Sequence, residues 1–262
     1  MTFSLTHLFL FAAALLAGAI NSVAGGGTLL TFPALLAAPH VSYVMANATS
    51  TVALVPGSVS AFWGYRQEMG RGRRELLWLG LPSLAGGVIG AKLVLRAGDE
   101  VFAHLVPWLI LGATALFMLN EPVRRWVARG RREEAAPSAR QGVLGVMLFQ
   151  FVVAVYGGFF GAGMGILMLA ALGFLGLSNI HHMNGLKNFA AVCINGVAAA
   201  TFILGGRVNW PLALLMAVGA VLGGYGGAGL ARRLGQKNVR RLVVGIGLVI
   251  GLAMLVKQLR LL

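Results

Sequence analysis

Apolar blocks of about 20 residues fill this chain from end to end, and nothing else in the sequence restricts its fold as strongly. Four can be drawn in each half: 3–37, 41–63, 76–95 and 101–119, then 141–178, 180–204, 208–230 and 242–259. Such a length carries a helix across a hydrocarbon core of about 30 Å, and lipid admits only spans that satisfy their own backbone. The 262 residues are 58% hydrophobic and 11% charged, against roughly 25% charged in a soluble domain. The expected fold class is an all-α polytopic membrane protein. The opening MTFSLTH has no basic run of the kind that starts a signal peptide, so Phe3 onward reads as a retained span. The single cysteine, Cys193, lies in an apolar block and can form no disulfide within the chain.

A net charge of +14 would suggest a nucleic-acid partner in a soluble protein. Here fifteen of the 21 Lys and Arg fall in three short segments, 64–75, 121–140 and 231–241, and basic loops beside spans are what the positive-inside rule produces. The lipid bilayer accounts for the charge, and no nucleic-acid partner is expected. The segment 121–140, EPVRRWVARGRREEAAPSAR, reads as a basic cytoplasmic linker between units at 1–120 and 141–262.

These units are two copies of one pattern. A shift of 137 residues aligns them without a gap: Gly26 meets Gly163, Leu30 meets Leu167, Asn47 meets Asn184, and Arg96 and Gly98 meet Arg233 and Gly235. Gly86, Gly87, Gly90 and Ala91 meet Gly223, Gly224, Gly227 and Ala228. Apolar positions coincide by chance, but Asn and Arg in one constant register do not. Charge then orients the copies. Three blocks separate 121–140 from 231–241, so plain single crossings would put the last basic loop outside. The conflict disappears if 141–178, broken by GGFFGAGMG, crosses or dips twice, and 3–37 does the same around AGGG. The expected arrangement is a pair of inverted repeats with eight to ten crossings and both termini outside. Eight plain spans with parallel repeats is the alternative.

The breaks are the first candidate for chemistry. An interrupted helix leaves backbone N–H groups that lipid cannot meet, and a helix restarting beyond them offers an anion site without a charged side chain. Gly25, Gly26, Gly27 and Thr28 form the first break, and Gly163 lies in the second, between Gly161 and Gly165. Glycines of this kind also serve close helix contact, but recurrence in register inside two overlong blocks favours a functional break. Pro33 supports it only in the first copy.

The second candidate is the polar cluster that opens the following span. ANATST supplies Asn47, Thr49, Ser50 and Thr51, and MNGLKN supplies Asn184, Lys187 and Asn188. Asn, Ser and Thr in spans often only bridge helices, at about 0.6 kcal/mol each. Lys187 differs, because a cation at mid-membrane costs roughly 2.5–3.5 kcal/mol even on the lenient insertion scale. No acid lies near it in sequence, so an anionic ligand is the economical partner, with snorkelling to the membrane edge as the rival. All seven acids (Glu68, Glu75, Asp99, Glu100, Glu121, Glu133, Glu134) lie in loops or at span ends. That pattern argues against a cation carrier and a carboxylate proton relay. His181 and His182 are the only residues in the polar region suited to proton coupling, and adjacent histidines at a span end are more often interfacial.

Other features read as structural. GGVIGAKL (86–93) and GGYGGAGL (223–230) carry small residues at four-residue spacing, suited to joining the repeats or two subunits of a homodimer. Asn209 and Pro211 mark a helix start. There is no HExxH, no cysteine pair and no serine with an evident base, so no enzyme, cofactor or metal is expected. An anion channel is the alternative to a carrier, since half-helices also line pores.

AGAINSVAGGGTLLTFPALL followed by ANATSTVALVPGSVSAFWGY resembles the first half of the TauE/SafE family, the sulfite exporters. GGFFGAGMGILMLAALGFLG, the Asn-x-x-Lys segment and FILGGRVNW resemble the second half. The resemblance implies a multi-pass carrier of the bacterial inner membrane that moves sulfite, sulfonates, sulfoacetate or related organic anions. It carries the glycine motif onto Gly25 to Gly27, and onto Gly161, Gly163 and Gly165. It carries the polar motif onto Asn47, Asn184 and Lys187.

Overall fold

The computed structural model describes residues 5–23, 26–66, 73–130, 139–174, 177, 180–234 and 236–260. Among them are nine helices and no strand: α1 (Leu5–Val23), α2 (Thr28–Leu36), α3 (Tyr43–Gly64), α4 (Arg73–Gly130), α5 (Ala139–Phe159), α6 (Met164–Phe174), α7 (Ile180–Leu204), α8 (Trp210–Leu234) and α9 (Gln236–Leu259). Helix α4 is two limbs joined at Gly98, where φ 72 and ψ 178 break the helical path. A side chain there would be strained, which is why glycine occupies the corner. The expected blocks 76–95 and 101–119 are these limbs, although α4 continues to Gly130, well into the segment read as linker.

The outside is apolar and the inside is partly polar, the reverse of a soluble protein. Leu8, Leu77, Leu81, Trp108, Leu144, Leu148, Val152, Leu214, Val218, Leu222, Val249 and Leu252 are exposed, while Thr31, Asn47, Thr49, Ser50, Lys187 and Asn188 are buried. Apolar exposure on this scale suits lipid and not water. Segments 75–119 and 182–204 are long and apolar enough to cross a membrane. Helices α2 and α6 are not: nine and eleven residues reach only about 14 and 17 Å at 1.5 Å per residue.

Both short helices double back. A Cβ on Gly27 would stand 2.7 Å from Ala17 O, ten residues earlier, where an unbroken helix would separate them by about 15 Å. At the second break, a Cβ on Gly157 would stand 2.7 Å from Met164 Sδ. The turns need unusual backbone at matching places. Gly26 has φ 137 and Gly163, 137 positions later, has φ 79. The chain after Gly27 therefore turns back along α1.

Helix directions follow from the close approaches. Gly219 lies against Phe11 and Leu15, and Gly223 against Leu15 and Ala19, so α8 runs parallel to α1. Gly86 lies against Phe151, Ala154 and Val155, and Gly90 against Val155 and Phe159, so the first limb of α4 runs parallel to α5. The small-residue faces thus join the two halves of one chain. Asp99 Oδ1 accepts from Val44 N at 2.9 Å, and its other oxygen is 3.9 Å from Arg207 Nη1, gathering the starts of α3, of the second limb of α4 and of α8 at one end. His182 Nε2 meets Glu75 Oε2 at 2.9 Å and gathers the starts of α7 and α4 at the other. Accordingly α1 starts at the Asp99 end and α5 at the Glu75 end. Midway, Asn195 Nδ2 donates to Ser58 Oγ at 3.4 Å, a contact between two positions 137 apart.

Candidate functional site

The two breaks converge on one stretch of α4. A Cβ on Gly26 would strike the Phe117 ring, one on Gly163 would touch Ala113 and Leu116, and one on Gly161 would stand 3.6 Å from Thr28 Oγ1. Around this junction the polar clusters cross between halves. Asn47, one turn into α3, donates through Nδ2 to Phe159 O at 3.0 Å, the final carbonyl of α5. Lys187, two turns into α7, donates through Nζ to Asn21 O at 3.4 Å, in the last turn of α1. Each cluster therefore serves a helix C-terminus whose carbonyls have no partner further along the helix.

Not all predicted donors are free. Asn21 Oδ1 accepts from both Gly26 N and Gly27 N at 2.8 Å, so these two N–H groups of the first break are already engaged. Thr31 Oγ1 and Ser50 Oγ lie 2.6 Å apart, tying α2 to α3. Thr49 Oγ1 accepts from Asn209 N at 3.0 Å, and Thr51 Oγ1 donates to Asn47 O at 2.8 Å. Thr49, Ser50 and Thr51 thus hold the framework. Asn209 is also the expected cap of α8, accepting from Leu212 N at 3.3 Å. Tyr156 OH donates to Ala162 O and braces the second break. Gly25 and the side chain of His181 lie outside the described residues.

The unspent polar capacity sits mainly on α7. Among the described residues, Asn184 Oδ1 and Asn188 Nδ2 are buried without a hydrogen-bond partner, as is Asn47 Oδ1. Asn184, Lys187 and Asn188 share one helix face by their spacing. Lys187 is 1% exposed, so it does not snorkel. The negative end of α1 offers a cation up to about 2 kcal/mol in favourable geometry, against a cost that reaches roughly 2.5–3.5 kcal/mol at the centre of a span. Asn21, the hub of this arrangement, was not among the expected site residues. An asparagine just before a glycine turn is a familiar local acceptor, and that signal was available.

An all-helical membrane protein with re-entrant half-helices and a buried cation beside unpaired amides has the form of a transporter. Comparison with known proteins places it further. The family model Sulfite exporter TauE/SafE matches residues 10–254, and the chain belongs to that family. It is 32% identical over 249 residues to "Probable membrane transporter protein YfcA" of Escherichia coli K12, covering 94% of this chain and 88% of the relative. "Probable membrane transporter protein ORF9" of Sinorhizobium sp is 30% identical over 249 residues, covering 94% and 91%. A "Probable membrane transporter protein" of Haemophilus influenzae is 28% identical over 246 residues, covering 90% and 89%. No solved structure matches the chain.

Proposed function

We propose that this membrane transporter is a secondary carrier of small sulfur-containing anions across the bacterial inner membrane, binding one anion mid-membrane between two inverted repeats. The observation that carries this reading is Lys187, buried with one long bond to a carbonyl among the described residues and near the unpaired Asn184 Oδ1 and Asn188 Nδ2. The family's description as sulfite exporter supports the substrate class. Opposite starting ends for α1 and α5, and the Ser58–Asn195 contact, support the inverted pair.

In this mechanism the anion enters beside the junction of the two breaks, its oxygens accepting from Lys187 Nζ and Asn188 Nδ2. The amide of Asn184 presents a donor after a half-turn about its last torsion. Rocking one repeat against the other around this fixed point would expose it to either side in turn. Purified protein in liposomes, loaded with unlabelled sulfite, should accumulate radiolabelled sulfite by counterflow. Ohmic current without counterflow would instead mean a channel, and no sulfite or sulfonate flux would remove the substrate class.

A further inference from the structure

We infer that Asn21 is the positioning residue that leaves the anion site its positive charge, and that the anion meets Lys187 and Asn188 and not the N–H groups of Gly26 and Gly27. This rests on the carrier reading above. One residue makes three contacts there: Oδ1 accepts from Gly26 N and Gly27 N, each at 2.8 Å, and its carbonyl accepts from Lys187 Nζ at 3.4 Å. The re-entrant turn of one half and the buried cation of the other therefore share Asn21 as their common strut.

Two N–H groups aimed at one oxygen form a socket that favours negative charge. Asn21 fills that socket with a neutral amide oxygen. The socket is thereby closed to substrate while no described residue adds a negative charge beside Lys187. Among the described residues the ion-paired acids are Asp99 and Glu75, at the two ends of the molecule and away from this junction. The countercharge for Lys187 is left to the ligand, which also finds Asn188 Nδ2 unpaired and 3% exposed. A carboxylate at position 21 would be held ionised by the same two N–H groups. It would cancel Lys187 from within the protein.

The experiment measures sulfite and methanesulfonate binding to the full chain in detergent at pH 7.5, with unfolding temperature and gel filtration as checks of folding. Asn21→Asp should weaken both probes at least tenfold. Asn21→Gln, which keeps a neutral acceptor at this position, should stay within threefold. Unchanged affinity in folded Asn21→Asp overturns the inference. So does a tenfold loss in a folded neutral variant, which would make shape and not charge the cause, and that arm stands even if Asn21→Asp fails to fold. Wild-type protein that binds neither probe would instead sink the carrier reading itself.

Discussion

Replacing Lys187 with methionine separates what the lysine does for the fold from what it does for a ligand. Methionine keeps an unbranched apolar stem and removes the ammonium. Without ligand, that ammonium is opposed by a burial cost of up to roughly 2.5–3.5 kcal/mol, the figure for the centre of a span. It recovers up to about 2 kcal/mol from the C-terminal end of α1 and little from one bond of 3.4 Å. The ligand-free variant should therefore be as stable as the wild type or more so, by about 1 kcal/mol. The wild type should gain about 2.7 kcal/mol at a sulfite concentration 100 times Kd, and Lys187→Met should gain nothing. Thermal unfolding in detergent across a sulfite titration, with chloride matching the ionic strength, reads both quantities. A variant with the wild-type sulfite shift would refute the reasoning. A ligand-free loss of about 3–5 kcal/mol would do so as well, because that is the signature of breaking a satisfied buried pair.

Two further outcomes follow from the helix contacts. Gly90→Leu and Gly223→Leu should fail to yield monodisperse protein, since a Cβ at either position meets backbone of the facing helix, whereas Gly112→Leu and Gly145→Leu open into free space and should be tolerated; gel filtration after solubilisation compares them. In a Cys193→Ser background, cysteines at His40 and Gly206 should react with an impermeant maleimide from the outside and one at Arg66 only from the cytoplasm, and labelling of His40 and Arg66 from one side would contradict the topology.

Much of the fold is legible in the sequence because burial in lipid writes it in long, simple patterns. The shift of 137 carries α3 (Tyr43–Gly64) onto α7 (Ile180–Leu204), and the first limb of α4 onto α8, to within a few residues. Gly26 and Gly163 pair in that register and both adopt positive φ. Glycine is what such a turn requires, so its conformation was readable before its contacts were. The division of labour inside ANATST was not. Asn47, Thr49, Ser50 and Thr51 are alike in polarity and position. Whether a hydroxyl faces a ligand or a neighbouring backbone depends on which segment lies opposite. Thr49 is used by Asn209 and Ser50 by Thr31, from 160 and 19 residues away. The bond between Asn21 and Lys187 is hidden for the same reason, since it spans 166 residues. The length of α4 past Leu119 was also hidden, because charged helix and charged loop share a composition.

The central claim is that a small oxyanion rests against Lys187 between the two halves, and its most direct test is to see where one sits. Selenite shares the shape and charge chemistry of sulfite, and selenium scatters anomalously. A crystal of the protein grown with selenite should show an anomalous peak within about 4 Å of Lys187 Nζ, the range of an ion pair, and beside Asn188. Peaks confined to the basic segments 64–75 and 231–241, with none in the membrane interior, would contradict the account.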